Sequence, residues 1–309
     1  MSAIYLLVLA SLALAGAFLV AFIWAVRSGQ YEDTATPALR KLGPIPLIVR
    51  SSSLLEDSLG HKVLIDAGVN GPGVLRDYLR GRGIHKLDVA VVTHPDKDHY
   101  GGLLDLPERF RIRQLLVPTT ESQDPDYQSL LQRLDAGGTD VTVVGKGAHL
   151  SGFGFGVDFL WPDEATRAQF LSGADRTNDV SLVAIVTRGR YRMILTGDMD
   201  SPDLLADTAL RADLLKSPHH GSVKGNPPGL YDRVRPGNVV AMGRYPTPAR
   251  LETRFAGTGV KYINTRVDGA VMLRFRGERA VVQRFFGPLP FSGEYRRPSD
   301  ARSESPSSP

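Results

Sequence analysis

A layered α/β domain preceded by one membrane-spanning helix is the fold class the sequence predicts, and three observations predict it. Residues 4–26, IYLLVLASLALAGAFLVAFIWAV, run 23 positions without a charge. From about residue 45, short apolar runs of strand character alternate with helical stretches, the pattern of strands and helices stacked in layers. Two further pairs of apolar runs are joined by short polar turns and read as hairpins.

The apolar run comes first. At about 1.5 Å per residue it exceeds a hydrocarbon core of ~30 Å. A cleaved signal peptide is the competing reading, favoured by the small residues of LALAGA. Against it, no Lys or Arg precedes the run, and the run is longer than a signal segment of roughly 7–15 apolar residues. Tyr5 and Trp24 fall near its two ends, where amphipathic rings favour the membrane interface. Arg27, Arg40 and Lys41 follow it, which places the rest of the chain on the cytoplasmic side. The expected organisation is a transmembrane anchor over 1–28, a polar linker over 29–44, a globular domain over 45–286 and a tail over 287–309. The tail ends RRPSDARSESPSSP, a Ser/Pro-rich charged composition that predicts disorder. The expected location is the inner (cytoplasmic) membrane, spanned once.

Within the domain, KVLIDAG (62–68), KLDVAVVT (86–93), IRQLLVP (112–118) and VTVVG (141–145) read as strands. GVLRDYLRGRG (73–83), GLLDLPERF (102–110) and DYQSLLQRLDAGG (126–138) alternate with them and carry helical patterns. A strand-rich section follows: FGFGVDFLWP, then SLVAIVTRG and RYRMILTGD joined across RGR as a hairpin. ADLLKSP, NVVAMG and KYINTR then alternate with PGLYDRVRP and ARLETRFAGTG before a final hairpin ending near 286.

Of 309 residues, 37 are Lys or Arg, 33 are Asp or Glu, and none is Cys. Disulfides and thiolate metal sites are therefore excluded, and any bound metal is held by nitrogen and oxygen. The net charge of +4 permits an anionic substrate without requiring one.

THPDKDHYGG, residues 93–102, places His94, Asp96, Asp98 and His99 within six positions, directly after the apolar strand VAVVT. Functional groups gather at the C-terminal ends of strands in open α/β sheets. In a loop these four side chains can converge on one point, and imidazole with carboxylate makes a hard-to-borderline metal donor set. The bland alternative is a solvated acidic loop. Lys97 between them is expected to face solvent. Two further strand ends carry the same chemistry: LTGD ends in Asp198, and LLKSPHHGS ends in the adjacent His219 and His220. An Asp at a strand end is often a turn residue, so it is the three ends together that point to a site. His61, His85 and His149 stand alone and read as surface or turn residues.

VLIDAG, THPDKDHYGG, TNDVSLV, LTGD and LKSPHHGS occur in the order and rough spacing of the metallo-β-lactamase fold. Over about residues 45–285 the chain resembles the soluble domain of the ComEC/Rec2 competence proteins. The resemblance implies an αβ/βα sandwich with a dinuclear metal site at one edge. It implies His94 and Asp96 on the first metal, Asp98 and His99 on the second, and Asp198 bridging. The late histidine is His219 or His220, with His219 preferred. Asp66 is implied as support for the metal loop, and Asn178 as a contact to metal or substrate. Asp96 replaces the histidine of the generic fold, as in the competence branch. A carboxylate there favours harder ions, so Mn²⁺ or Mg²⁺ competes with Zn²⁺. Two departures concern other segments. The opening strand of that branch is replaced by GPIPLIVRSSSLLEDSLG, and its late His-Pro is replaced near Tyr245 and Pro246.

Residues 1–42, which contain WAVRSGQYED, are similar to CcoS, a single-helix assembly protein of a haem–copper cytochrome oxidase. The chain thus reads as composite. The leading expectation is a membrane-anchored hydrolase of phosphodiester bonds, with single-stranded DNA as substrate. Asp98 and Asp198 are its catalytic carboxylates, and two divalent ions are its cofactors. Ser222 in the HHGS element is a candidate support or substrate residue; Lys224 and Arg244 could grip a phosphate backbone, but an ordinary solvated surface is the favoured reading of both. The rival readings are an oxidase assembly factor working with respiratory oxidase subunits through its N-terminal helix, and a metallo-hydrolase of small esters or thioesters.

Overall fold

Apolar runs become strands wherever they were expected between residues 47 and 284. A computed structural model describes residues 47–49, 52–69, 74–173, 177–202, 210–242, 249–268, 270–276, 279–284 and 292–294. The predicted membrane helix and linker lie outside the described residues, as do Arg244, Tyr245 and Pro246. Among the described residues, no helix is long and apolar enough to cross a membrane. The chain divides into two compact units: residues 43–77 with 85–309, and residues 1–42 with 78–84. Of the second, the described part is 78–84, the end of helix α1 (Val74–Gly81) and its closing turn.

The larger unit holds two sheets. Numbered in chain order, the first contains β1 (Leu47–Val49), β2 (Ser52–Glu56), β3 (Lys62–Ile65), β4 (Lys86–Val91), β5 (Arg111–Val117) and β6 (Asp140–Val143), with β14 (Val271–Arg276), β15 (Arg279–Arg284) and β16 (Ser292–Glu294). Its order is β16-β15-β14-β1-β2-β3-β4-β5-β6. The second contains β7 (His149–Leu150), β8 (Gly156–Trp161), β9 (Val183–Arg188), β10 (Tyr191–Leu195), β11 (Leu214–Lys216), β12 (Asn238–Ala241) and β13 (Lys261–Asn264), ordered β13-β12-β11-β10-β9-β8-β7.

β3 through β6 are parallel, with Ile65 opposite Val91 and Val91 opposite Leu116. Parallel strands need crossovers, supplied by α1, α2 (Lys97–Leu104) and α3 (Pro125–Ala136). Asp124 caps α3 by accepting from Asp126 N at 2.9 Å, and Pro125 occupies its first turn, where the missing N–H costs nothing. β4 and β5 are partly exposed at their starts and wholly buried over their last three residues. Their C-terminal ends are therefore enclosed by the fold, and that is where the candidate residues sit.

Between the sheets, Val63, Val89 and Leu116 of the first pack with Val157, Ala184, Met193 and Leu214 of the second. On the outer face of the second sheet, Val183, Ile185, Ile194 and Leu215 pack with Leu230 and Val234 of α5 (Pro228–Val234) and with Leu251, which lies in helix 249–254. Along β9 the two sets alternate, as side chains on a pleated strand must. Each fully buried aliphatic contributes about 1.5–3 kcal/mol relative to exposure. The β9–β10 hairpin turns through Gly189 and Arg190, with Gly189 at φ 55°, a value that favours glycine.

One boundary departs from expectation. Ser292–Glu294, inside the stretch expected to be disordered, pairs antiparallel with β15, Val281 opposite Glu294. Composition argues for disorder, but an edge strand offers unpaired N–H and C=O groups to any segment that passes it.

Candidate metal centre

Four strand ends meet at one edge of the sandwich. β3 leads into Asp66, β4 into Thr93 and His94, β10 into Asp198, and β11 into His219 and His220. The His/Asp motif was expected as a loop, and the structure divides it. His94 and Asp96 precede α2, while Asp98 and His99 form its first turn. Asp96 holds the N-cap position without capping, and its carboxylate lies 3.4 Å from His94 Nε2 instead.

Asp98, His99, Asp198 and His220 converge, each offering a donor atom within 4.8 Å of the others. His220 Nε2 lies 2.9 Å from Asp198 Oδ2 and 3.2 Å from Asp98 Oδ2. His99 Nε2 is 3.2 Å from Asp198 Oδ1, and the His94 and His99 rings are 4.1 Å apart. His94, His99 and Asp198 are almost fully buried. His94 Nε2, His99 Nε2 and Asp198 Oδ1 are nonetheless buried without a well-aligned hydrogen bond, the last two only facing each other as an ion pair. A buried polar atom without a partner costs about 1–3 kcal/mol. Three such atoms on three converging side chains are what a divalent cation would satisfy, and nitrogen and carboxylate oxygen are donors it accepts.

The ring orientations are set from behind. Asp66 Oδ1 accepts from Thr93 N at 2.8 Å, and Oδ2 accepts from Thr93 Oγ1 at 3.0 Å and meets His99 Nδ1 at 2.8 Å. That contact turns His99 Nε2 toward Asp198, the arrangement by which a carboxylate orients a metal-binding imidazole. His220 Nδ1 sits 3.1 Å from the Met242 carbonyl oxygen, which does the same for its ring. Asp66, His219 and His220 adopt φ of 59°, 45° and 54°. Left-handed backbone costs a non-glycine residue roughly 1–2 kcal/mol, and its concentration here marks a constrained site.

Burial works against charge on His99, but the Asp198 and Asp66 carboxylates outweigh it and push its pKa up to about 10. Burial opposes charge on His220 as well, and the hydrogen bonds it donates to the Asp198 and Asp98 carboxylates raise its pKa. Desolvation disfavours the Asp98 carboxylate, yet the His220 hydrogen bond and the His99 charge hold it well below the usual range. The same balance holds Asp198 low, with His99 and His220 as the stabilising groups. A donor set that gathers protons to balance its carboxylates is one in which a cation can replace them.

The other expected residues lie around this cluster. His219 Nδ1 is 2.7 Å from Asp200 Oδ1. Asn178 donates to Asp200 Oδ2 at 3.2 Å and sits 3.4 Å from His219 Nδ1. Sequence reasoning preferred His219 as the late ligand, but the structure puts the His220 ring among the converging donors. Ser222 Oγ accepts from Gly225 N, shaping the turn after the histidines. Lys224 is exposed and donates to Asp200 Oδ2 at 3.1 Å. Lys97 is exposed, as expected, and pairs with Asp126. His61 and His149 pair with Asp57 and Asp158, away from the cluster.

Three contributors went unnoticed in the sequence. Asp200 follows Asp198 by two positions in GDMD, a spacing that was available as a signal. Thr93 opens the motif itself. Lys216 is buried at the end of β11, and its ammonium donates to the Gly197 carbonyl at 3.2 Å, beneath Asp198.

Known proteins share these segments. Residues 46–226 match the family model described as metallo-beta-lactamase superfamily, and residues 2–42 match that of the cytochrome oxidase maturation protein, cbb3-type. ComE operon protein 3 of Bacillus subtilis is 25% identical over 228 residues, covering 71% of this chain and 27% of that protein. Recombination protein 2 of Haemophilus influenzae is 26% identical over 239 residues, covering 72% and 27%. The chain thus spans about a quarter of the length of these relatives. Among solved structures, CmlA, a diiron beta-hydroxylase from Streptomyces venezuelae, aligns with a TM-score of 0.52 at 16% identity, over 76% of this chain and 54% of that one. That likeness shows the fold.

Proposed function

The chain belongs to the metallo-beta-lactamase superfamily, and from that premise we propose that it is a two-metal hydrolase of phosphodiester bonds, anchored to a membrane by residues 4–26. The convergence of Asp98, His99, Asp198 and His220, with buried donor atoms that lack well-aligned hydrogen bonds among them, carries this reading. Similarity to ComE operon protein 3 and Recombination protein 2 supports DNA as the source of the diester, and single-stranded DNA is the form we propose.

In this reading His94, Asp96, Asp98, His99, Asp198 and His220 hold two divalent cations, with Zn²⁺, Mn²⁺ and Mg²⁺ as the candidates. The bound cations would acidify a water molecule and offset charge growing on the non-bridging phosphoryl oxygens. The chain's own groups do the rest. Asp66 and Thr93 fix the His99 ring, and the Met242 carbonyl fixes His220. Asp98, at the first turn of α2, would orient a water molecule by accepting a hydrogen bond from it. Asp198, which would help hold the cations, is fixed from behind: its N–H donates to Ser181 Oγ at 3.1 Å, and the preceding Gly197 carbonyl accepts from the Lys216 ammonium. Asp200 restrains His219, Asn178 and Lys224 as one group at the rim, where Lys224 would meet the substrate phosphate.

The test is cleavage of a single-stranded oligonucleotide by the purified full chain with Mn²⁺, Zn²⁺ or Mg²⁺, beside Asp98→Ala. Metal-dependent cleavage lost in the variant is expected. No cleavage with any divalent metal, together with turnover of ester or thioester substrates, would replace this reading.

A second reading rests on the match of residues 2–42 to the cbb3-type maturation protein. In it the N-terminal segment contacts respiratory oxidase subunits while the large domain keeps its hydrolase chemistry. Oxidase assembly in cells that express residues 43–309 alone is the discriminating observation; loss of assembled oxidase is expected.

A further inference from the structure

Beside the cluster lies a groove of about 1210 Å³ whose wall includes Asp96 and Asp98 themselves. From there it runs along the segment 120–124, past α3, to α4 (Glu164–Leu171). Its described lining is anionic. Apart from Asp96 and Asp98, whose charge the cations would offset, it carries Glu121, Asp124 and Asp135, against Lys97 as the one cation among the described lining residues, its ammonium tied to Asp126. Asp124 is spent on capping α3 and on accepting from Tyr100 Oη, but Glu121 and Asp135 are exposed.

Grooves that track a nucleic-acid backbone are lined by Lys and Arg, because each phosphate held releases counterions. This groove has the opposite sign and would repel a run of phosphates. Its remaining surface suits an uncharged group. Phe170, Leu171 and Val141 supply apolar faces, and Gln123, Gln128 and Gln132 supply amides. Carboxylates accept from amino and ring N–H groups of bases, and flat rings stack on exposed apolar side chains.

Resting on the phosphodiesterase reading, we infer that the site takes one diester at a time: a single phosphate at the metal cluster, with the nucleoside attached to it in the acidic groove. A short nucleotide diester fits this arrangement. A continuous polyanion threaded through the groove does not.

The test uses the full chain with Mn²⁺ and three substrates: bis(p-nitrophenyl) phosphate, a dinucleotide and a 20-mer single-stranded DNA. The dinucleotide is expected to be cleaved at least tenfold more efficiently per diester than the 20-mer. From 50 to 200 mM NaCl its apparent affinity should fall less than about threefold, the effect of one phosphate contact. Anisotropy of a labelled 20-mer on metal-free protein should show no binding whose affinity falls by about several hundredfold over that range, the mark of roughly six phosphate contacts. Reversing the wall with Glu121→Lys and Asp135→Lys should raise cleavage of the 20-mer at least fivefold. If bis(p-nitrophenyl) phosphate is cleaved but the 20-mer is the better substrate, or the reversal leaves the 20-mer unaffected, the inference falls and the phosphodiesterase reading stands. If no diester is cleaved, both fall.

Discussion

The Nε2 atom of His220 lies 2.9 Å from Asp198 Oδ2, although the two residues follow different strands, β11 and β10. The neighbouring His219 turns instead to Asp200, at 2.7 Å. Adjacent histidines therefore have different work. One is a donor to the cluster, and the other is braced at its rim.

That division predicts unequal mutants. His220→Ala should remove a metal ligand and cut activity more than about 100-fold, with fewer metal equivalents by elemental analysis. His219→Ala should keep the full metal content more nearly and lose roughly 10–100-fold, the usual range for a residue acting behind the ligands. Equal metal loss in both would overturn the assignment.

Asp66 acts through His99. Asp66→Asn keeps the size but weakens the acceptor that meets His99 Nδ1 at 2.8 Å. Metal affinity should fall about 10–100-fold, measured by competition with a chromophoric chelator. Far-ultraviolet circular dichroism should stay as in the wild type.

Gly102 is a helix residue at which alanine should hurt. In an ordinary helix interior Gly→Ala stabilises by about 1 kcal/mol. Here a Cβ would lie 2.2 Å from the Ala67 carbonyl oxygen, and the Gly102 N–H donates to the Gly68 carbonyl at 2.9 Å. The overlap forces α2 away from the β3 end, at an overpacking cost of about 1–3 kcal/mol or more. Gly102→Ala should lower Tm by about 2 °C or more, and it should weaken metal binding because Asp98 and His99 ride on the same helix.

Asp57 couples stability to acid. Burial alone would raise its pKa, but the His61 side chain and the backbone N–H groups of His61, Gly154 and Leu59 hold it down at about 2, against 3.8 for the free side chain. Because the folded value is depressed, its contribution is complete above about pH 4 and is lost as pH falls through about 2. The size is about 2 kcal/mol. Urea unfolding of Asp57→Asn against wild type should differ by that amount near pH 5 and converge toward pH 2. A gap that stays constant across this range would show that Asp57 acts by packing alone.

The sequence by itself determined which elements form and which residue types reach the strand ends. VAVVT, MILTGD and LLKSP are apolar runs closed by His, Asp or His-His, and strand formation depends on such local patterns. Charge and composition also carried the absence of thiolate chemistry. Only the tertiary structure decided which donors meet. Whether His219 or His220 enters the cluster turns on left-handed backbone at both positions and on the Met242 carbonyl, 22 residues away from His220. The brace on His99 comes from Asp66, 33 positions earlier, through the parallel pairing of β3 and β4. The sign of the groove is likewise invisible in a chain of net charge +4, because charge along a sequence sums over all faces, while a ligand meets the one face that folding assembles.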